Sequence, residues 1–243
     1  MPNDPILTPH RSVRSFRPDP LPDGMLTRLV AEAQRAPTDA TAQLYSFVRI
    51  AERGLRQRIA ALAGDQEHIG TAAEFMVVCA DVRRVARLLA RRGATPAPVP
   101  ATGLHFAVVD SALAAQRLID AAESVGLGTV CVGGILNGIE ELVDMLALPV
   151  GVLPLFGLCL GVPDEEPPVR PRIAVGSVLH TDRYRDQASV EIDADLVAMA
   201  SVTRRGDWLA VLARYFAAGG VMEQREPSVR RVLERQGFAW KGV

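Results

Sequence analysis

The chain contains 243 residues, of which 49% are hydrophobic and 23% charged, and this composition is typical of a globular protein with a sizeable core. Its 27 lysines and arginines nearly balance its 28 aspartates and glutamates. The net charge of −1 therefore argues against a global electrostatic grip on nucleic acid or on an anionic membrane. No apolar run approaches the ~20 residues of a membrane span. Residues 1–8 lack the features of a signal peptide, so we expect a cytoplasmic protein.

The three cysteines, Cys79, Cys131 and Cys159, all lie in apolar stretches. An odd number without regular spacing argues against a disulfide framework and a zinc site, so we interpret them as small core residues in a reducing compartment. The four histidines are scattered and have no obvious carboxylate companions. The chain also lacks a P-loop, a GxSxG turn and a GxGxxG fingerprint. If the protein is an enzyme, we expect its reactivity to reside in a bound cofactor.

The first half of the chain alternates helical and strand patterns. A helix is expected to begin at Pro22-Asp23 and to end before Pro37. Compact β-branched runs predict strands around 45–51 and 74–80, and apolar spacing predicts helices around 55–62 and 82–92. Asp81 is positioned to cap the last of these helices, whose arginines are expected to form a solvated face.

Residues 93–102 contain three prolines, which exclude regular structure, and we interpret them as a mobile loop rather than a linker between domains. The following stretch, Gly103–Val125, is apolar on nearly every helical face. Such a helix must be buried on nearly all sides. It is therefore either central in the fold or shared with a second subunit, and both possibilities are compatible with a dimer.

The second half begins with a short strand, Thr129–Val132, that leads into Gly133-Gly134. A helix around 139–146 and a buried strand around 153–160 are predicted to follow. Residues 162–185 are rich in proline and charge, so we expect an extended arm without a core of its own. Helical patterns around 192–202, 208–218 and 227–236 complete the chain, with Gly237 ending the last helix. The order of elements predicts an α+β fold.

Two basic clusters are candidates for phosphate binding. His10-Arg11-Ser12-Val13-Arg14 combines two guanidinium groups with an imidazole and a hydroxyl, and Arg170-Pro171-Arg172 forms a second cluster. The planar fork of arginine suits phosphate because it donates two parallel hydrogen bonds. Both clusters can meet around one phosphate, or the first can be an exposed basic turn. Gly133-Gly134 is either a simple turn or a place where the backbone approaches a flat ligand.

Several segments, in this order along the chain, resemble the nitroreductase family, and most closely its oxygen-insensitive NADPH nitroreductase and NADPH-flavin oxidoreductase group. They are HRSVRSF (10–16), GDQEH (64–68), AAEFMVVCAD (72–81), AAESVGLGTVCVGGILN (121–137), LPLFGLCLGVP (153–163) and RPR (170–172). The resemblance extends from about residue 8 to 185, and the tail agrees more loosely.

The resemblance implies one α+β domain over residues 1–243, with a central, mostly antiparallel sheet flanked by helices. It also implies an intertwined homodimer with FMN at the interface, in which residues 162–185 wrap the partner and residues 190–243 form a helical C-terminal region. The implied reaction is ping-pong: NAD(P)H delivers hydride to the flavin, and a nitroaromatic, a quinone or a free flavin then takes the electrons. A dedicated flavin reductase and an FMN-binding module without turnover are the alternatives.

Carried over by position, the resemblance implies FMN ligands but no catalytic side chain and no metal, since flavin N5 carries the chemistry. The implied FMN ligands are His10, Arg11, Ser12, Arg14, Thr38, Gln43, Gln66, Cys131, Val132, Gly133, Gly134, Arg170 and Arg172. Among them, residues 131–134 are expected to bring backbone N–H groups near flavin N5 and O4. Arg204 and Arg205 either bind the 2′-phosphate of NADPH or are surface charges, so NADPH is only weakly preferred over NADH.

Overall fold

The structure is a computed structural model that describes residues 7–200 and 207–238. The chain divides into two compact units, one formed by the residues up to Pro167 together with those from Pro227 onward, and the other by Pro168–Glu226. Within the described ranges, no helix is both long and apolar enough to cross a membrane.

The first unit is built on a four-stranded antiparallel sheet, with β1 (Tyr45–Arg49), β2 (Glu74–Asp81), β3 (Gly128–Val132) and β4 (Val152–Gly161) in the order β1-β2-β4-β3. Every residue of β2 is buried. A strand covered on both faces needs apolar side chains on both, and this explains why β2 and β4 appear in the sequence as continuous apolar runs. The predicted α+β architecture is confirmed.

Helices cover both faces of the sheet. In chain order, the helices that the structure describes are α1 (Met25–Ala33), α2 (Arg53–Leu62), α3 (His68–Thr71), α4 (Arg83–Arg91), α5 (Pro100–Ser124), α6 (Ile139–Met145), α7 (Ser189–Met199), α8 (Trp208–Phe216) and α9 (Val221–Arg235), of which α7 and α8 belong to the second unit. Side chains alternate between the two faces along β2. Phe75 and Val77 pack with Ile59 of α2 on one face, while Met76 and Val78 pack against α1 and α5 on the other.

Helix α5 begins at Pro100, two residues before the expected end of the loop, because proline is well suited to the first turn of a helix. One face of α5 is buried against the sheet. On another face Val108, Val109 and Leu113 remain about 40% exposed (39%, 41% and 40%). Burial on nearly all sides is therefore not achieved within one chain, and the sharing of this helix with a second subunit stays a prediction.

The segment after the sheet has little regular structure. Residues 162–185 contain one short 3-10 helix, Val175–Ser177, in agreement with an extended arm. In the second unit the Asp195 carboxylate on α7 accepts hydrogen bonds from the backbone N–H of Ala174 (3.0 Å) and from Nε2 of Gln187 (2.7 Å). Wrapping of a partner by this arm stays a prediction.

The predicted start of the last helix at Pro227 is wrong. Helix α9 begins at Val221 and contains Pro227 in its interior. Its first turn is stabilised by the Glu223 carboxylate, which accepts a hydrogen bond from the backbone N–H of Gly219 at 2.6 Å. Gly237 has a φ of 81° and ends the helix, as the sequence predicts.

Candidate functional site

The N-terminal basic segment lies along β3. Ser12 forms a parallel bridge with Thr129, and the backbone N–H of Val13 donates to the Thr129 carbonyl at 2.9 Å. The Val13 side chain is buried, and a Cβ on Gly128 would collide with it, so the two segments are in close contact. This pairing places residues 10–14 beside the strand that leads to Gly133.

His10 has a carboxylate partner that sequence analysis did not find. Its Nδ1 lies 2.6 Å from Oε1 of Glu123 on α5, and its Nε2 lies 3.2 Å from Oγ of Ser12. The hydroxyl of Thr129 donates to the same Glu123 oxygen at 2.8 Å. A carboxylate accepts rather than donates, so Nδ1 carries the proton in this pair. The imidazole is thereby fixed with Nε2 toward the basic turn.

Two consecutive glutamates hold the basic turn from the other side. Arg11 Nη1 donates to Glu166 Oε1 at 2.8 Å and to the Pro167 carbonyl at 3.1 Å. Oε1 of Glu165 accepts from the backbone N–H groups of Arg14 (2.6 Å) and of the next residue (3.1 Å). These bonds fix the turn's backbone and orient Arg11. The turn is an anchored structure rather than a loose surface loop.

After β3 the backbone enters a 3-10 helix, Gly133–Gly138. A Cβ on Gly134 would collide with Nε2 of Gln66 and with the Ala63 carbonyl, which are themselves bonded at 2.9 Å. A Cβ on Gly133 would meet no atom within 4 Å. The two glycines therefore have different roles: Gly134 permits close packing of the Gln66 loop, and Gly133 leaves open space beside its backbone.

A buried polar atom next to the basic turn has no hydrogen-bond partner. His68 is 8% exposed, and its Nε2 finds no partner among residues 7–200 and 207–238. Burial, and secondarily the Arg14 guanidinium, lower the pKa of His68 against the smaller opposing effect of Glu165. An unpaired buried polar group is costly unless a ligand or water satisfies it. With the basic turn and the open space at Gly133, it fits a phosphorylated flat cofactor.

The prediction that all three cysteines lie in the core is wrong for Cys131, which is exposed, while Cys79 and Cys159 are buried. Val130 and Val132 point into the core, so the residue between them faces the opposite side of the edge strand. The protein atoms around the sulfur, and secondarily Glu123, raise the pKa of Cys131. Burial raises the pKa of Cys79 to about 12. None of these thiols is an activated nucleophile.

Thr38 and Gln43 lie far from the basic turn. Their segment leads into β1, at the edge of the sheet opposite β3. Two intervening strands separate these edges by about 14 Å. The pairing register also sets Tyr45 level with Ala80 of β2, and Thr129 level with Glu74, about 20 Å apart along the strands. One chain therefore brings together residues 10–14, 66 and 131–134, but not Thr38 or Gln43.

The remaining predicted site residues lie in the second unit or outside the residues that the structure describes. Arg172 is exposed and its Nη1 donates to the carbonyls of Arg170 (3.1 Å) and Pro171 (3.0 Å), while Arg170 is half-buried. Arg204 and Arg205 lie outside the described residues. Among the residues that are described, no group of three or more acidic, histidine or cysteine side chains is placed to hold a metal ion.

Comparisons with known proteins show which proteins this chain is similar to. The model of the nitroreductase family matches residues 7–162. The oxygen-insensitive NADPH nitroreductase of Salmonella typhimurium is 35% identical, over 96% of this chain and 97% of the relative. The crystal structure of nitroreductase A from Vibrio parahaemolyticus has a TM-score of 0.83 at 31% identity, covering 94% of each chain. The NADPH:FMN oxidoreductase of Vibrio harveyi complexed with NAD+ has a TM-score of 0.76 at 30% identity, covering 90% of this chain and 94% of that one.

Proposed function

The chain belongs to the nitroreductase family, and on that basis we propose that it is an FMN-dependent NAD(P)H oxidoreductase. Its substrates would be nitroaromatics, quinones and free flavins, reduced by two electrons at a time. Relatives named as an NADPH nitroreductase and as an NADPH:FMN oxidoreductase support this proposal. The observation that carries it is the anchored turn of His10, Arg11 and Arg14 beside the open backbone of Gly133.

FMN, when bound, supplies a ring that accepts a hydride from NAD(P)H and passes two electrons to an acceptor. The chain's part is to hold and surround that ring. Arg11 and Arg14 would bind the phosphate by paired N–H donors, with His10 and Ser12 beside them. Backbone N–H groups of residues 131–134 would stabilise charge on the ring, since preorganised donors need no rearrangement when charge develops. Gln66 would add an amide at the ring edge.

Two further pairs of arginines complete the proposal. Arg170 and Arg172 would be additional FMN ligands, and their positive charges would stabilise negative charge on the bound flavin and so raise its reduction potential. Arg204 and Arg205 would bind the 2′-phosphate of NADPH. Replacing both with alanine should raise the KM for NADPH far more than the KM for NADH. An equal effect on the two donors would remove that role.

We also propose that the active form is a homodimer with FMN sites shared between subunits. The separation of Thr38 and Gln43 from the basic turn means that one chain does not assemble all of the predicted flavin ligands. The exposed valines and leucine of α5 provide an apolar face for a second copy. A second chain would supply the missing segment and cover this face.

Mixed dimers test the shared site. Arg14→Ala alters the basic turn and Gln43→Ala alters the segment before β1, so the homodimer of each variant should bind FMN weakly. In a heterodimer one site carries both substitutions and the other carries neither. Co-expression should therefore restore FMN binding to part of the sites. Heterodimers without any recovery would contradict a site shared between subunits, and so would a monomer that binds FMN with full affinity.

Steady-state kinetics test the enzyme proposal. The FMN-loaded protein should oxidise NADPH with menadione, a nitroaromatic or riboflavin as acceptor, and double-reciprocal plots at several donor concentrations should be parallel. Turnover with riboflavin alone would favour a dedicated flavin reductase. Bound FMN without turnover by any acceptor would favour a flavin-binding module.

A cytoplasmic location is the last part of the proposal. Cys79, Cys131 and Cys159 are all free thiols, which are typical of proteins in a reducing compartment. Fractionation of the producing cells should recover the protein with cytoplasmic markers, and recovery in an oxidising compartment would contradict this.

A further inference from the structure

The segment before β1 has an unusual backbone. Three non-glycine residues between Asp39 and Leu44 have left-handed conformations: Ala40 (φ 46°), Thr41 (φ 57°) and Gln43 (φ 52°). Side chains with a Cβ adopt this region rarely because the Cβ crowds the backbone. Several such residues in one short segment persist only when the surrounding structure holds them in place. The segment therefore needs a clamp.

Asp110 provides the clamp. It lies on α5 and is 1% exposed. Its Oδ1 accepts a hydrogen bond from the backbone N–H of Asp39 at 3.0 Å, and its Oδ2 accepts one from the backbone N–H of Leu44 at 2.9 Å. One carboxyl group thus holds both ends of the strained segment, with one oxygen for each end.

A second group supports the far end of the segment. Nη1 of Arg84, on α4, donates to the Gln43 carbonyl at 2.9 Å, and its Nη2 donates to the Tyr45 carbonyl at 2.9 Å. The Asp81 carboxylate holds this guanidinium at 3.2 Å. The arginine expected on a solvated face thus binds backbone instead. The segment is fixed by the core helix on one side and by α4 on the other.

We propose that Asp110 is a positioning residue for flavin binding. It does not touch the cofactor. It holds Asp39–Leu44 in the backbone conformation that presents Thr38 and Gln43 to the flavin, so that this surface is preformed before FMN arrives. The inference rests on the proposed function, and it adds a residue that the family resemblance did not point to.

Two substitutions break the clamp from opposite sides. Asp110→Asn replaces one acceptor oxygen with an amide that faces a backbone N–H, so one of the two bonds is lost. Asp39→Pro removes the backbone N–H from which Oδ1 of Asp110 accepts a hydrogen bond, and it leaves the core unchanged. Proline suits this exposed position, since it begins a helical turn and Thr38 before it is extended (φ −140°, ψ 152°).

Ser111→Ala is the matched control. Ser111 is adjacent on α5 and fully buried, and its hydroxyl donates to the carbonyls of Ala107 (2.6 Å) and Cys79 (3.2 Å). It makes buried polar bonds on the same helix without touching the segment. Any general effect of disturbing α5 should appear in this variant as well.

The experiment is a titration of apo protein with FMN and with riboflavin, followed by flavin fluorescence, alongside thermal unfolding. Asp110→Asn and Asp39→Pro should raise the Kd for both flavins by about tenfold, the scale expected for one lost bond to a charged group. Ser111→Ala should leave both Kd values within about twofold even where it lowers the Tm. In a Gln43→Ala background, Asp110→Asn should weaken flavin binding much less than it does in the wild-type chain, because both substitutions act through the segment Asp39–Leu44.

The possible outcomes separate the inference from the proposed function. Wild-type affinity in Asp110→Asn and Asp39→Pro would overturn the inference alone, and so would an equal loss in Ser111→Ala. If Asp110→Asn does not fold, the flavin affinity of Asp39→Pro decides whether the inference holds. A wild-type chain that binds neither flavin would contradict the proposed function itself.

Discussion

His10 and Glu123 form a close pair, with Nδ1 and Oε1 2.6 Å apart, although the residues are 113 positions apart in the chain. The pair ties the N-terminal basic turn to α5, and Thr129 of β3 joins it through the same carboxylate oxygen. Three separate segments therefore meet at one carboxylate. We infer that Glu123 sets the orientation in which His10 faces a phosphate.

Glu123→Gln should weaken FMN binding about fivefold and lower the free energy of unfolding by about 1 kcal/mol, because a bond to a charged group becomes a neutral one. Asp120→Asn is the control, because it makes the same change of charge on an exposed residue of α5. Among the described residues, the Asp120 carboxylate accepts a side-chain hydrogen bond only from Gln116. FMN titration and urea unfolding measure both effects. Equal behaviour of the two variants would contradict a role for Glu123 in orienting His10.

The two adjacent glycines should respond differently to a methyl group. Gly134→Ala would collide with Gln66 and the Ala63 carbonyl, so it should lower the free energy of unfolding by roughly 1–3 kcal/mol. Gly133→Ala meets open space and should change that free energy by less than about 1 kcal/mol, in either direction. It should nevertheless weaken FMN binding about tenfold, because its methyl group occupies the approach to the backbone.

Each glycine variant serves as the control for the other. Chemical denaturation of the apo proteins measures the free energy of unfolding, and FMN titration measures the affinity for FMN. Full FMN affinity in a stably folded Gly133→Ala variant would show that the flavin does not approach this backbone.

Local patterns were sufficient to predict the strands and most helices. β2 and β4 are continuous apolar runs because both of their faces are covered. The start of α9 was missed because Pro227 resembles a helix start, whereas Glu223 capping places the start six residues earlier. Cys131 was assigned to the core because its neighbours are apolar, but only alternating residues of an edge strand face the core.

The side-chain network of the site was not predictable from the sequence. The Glu123–His10 pair and the Asp110 clamp each join segments that are distant in the chain. No local spacing rule connects such residues, because their proximity depends on the strand order β1-β2-β4-β3. The resemblance implied that residues of the basic turn bind FMN, but it did not point to the groups that orient them.

The basic turn should discriminate between flavins. Arg11→Ala and Arg14→Ala should raise the Kd for FMN by tenfold or more, roughly the loss of one charge-assisted pair. They should leave the Kd for riboflavin nearly unchanged, since riboflavin lacks the phosphate. Arg17→Ala is the control, because Arg17 lies on the same segment and pairs with Asp19 at 2.7 Å. Equal losses for the two flavins would contradict phosphate binding at this turn.

His68 should make stability depend on pH. Because burial and Arg14 lower its pKa in the folded state, the unfolded chain binds a proton first as the pH falls. This contribution to stability is present above the ordinary histidine value of about 6.5 and is lost as the pH falls below it, toward the lower pKa of the folded state. His68→Gln should therefore reduce the decline between pH 7 and 5.

Urea unfolding at several pH values measures this decline for the wild-type chain, for His68→Gln and for His105→Gln, in which an exposed histidine is replaced. His105→Gln should keep the wild-type pH dependence. A decline that persists unchanged in His68→Gln would assign the effect to other groups.

Anaerobic stopped-flow spectroscopy of the FMN-reconstituted protein tests the central claim most directly. Mixing with NADPH or NADH should bleach the flavin absorbance rapidly, and a subsequent addition of a quinone or nitroaromatic should restore it. The ratio of the two bleaching rates gives the donor preference in the same experiment. Bound FMN that neither nicotinamide reduces would contradict the assignment of this chain as an NAD(P)H oxidoreductase.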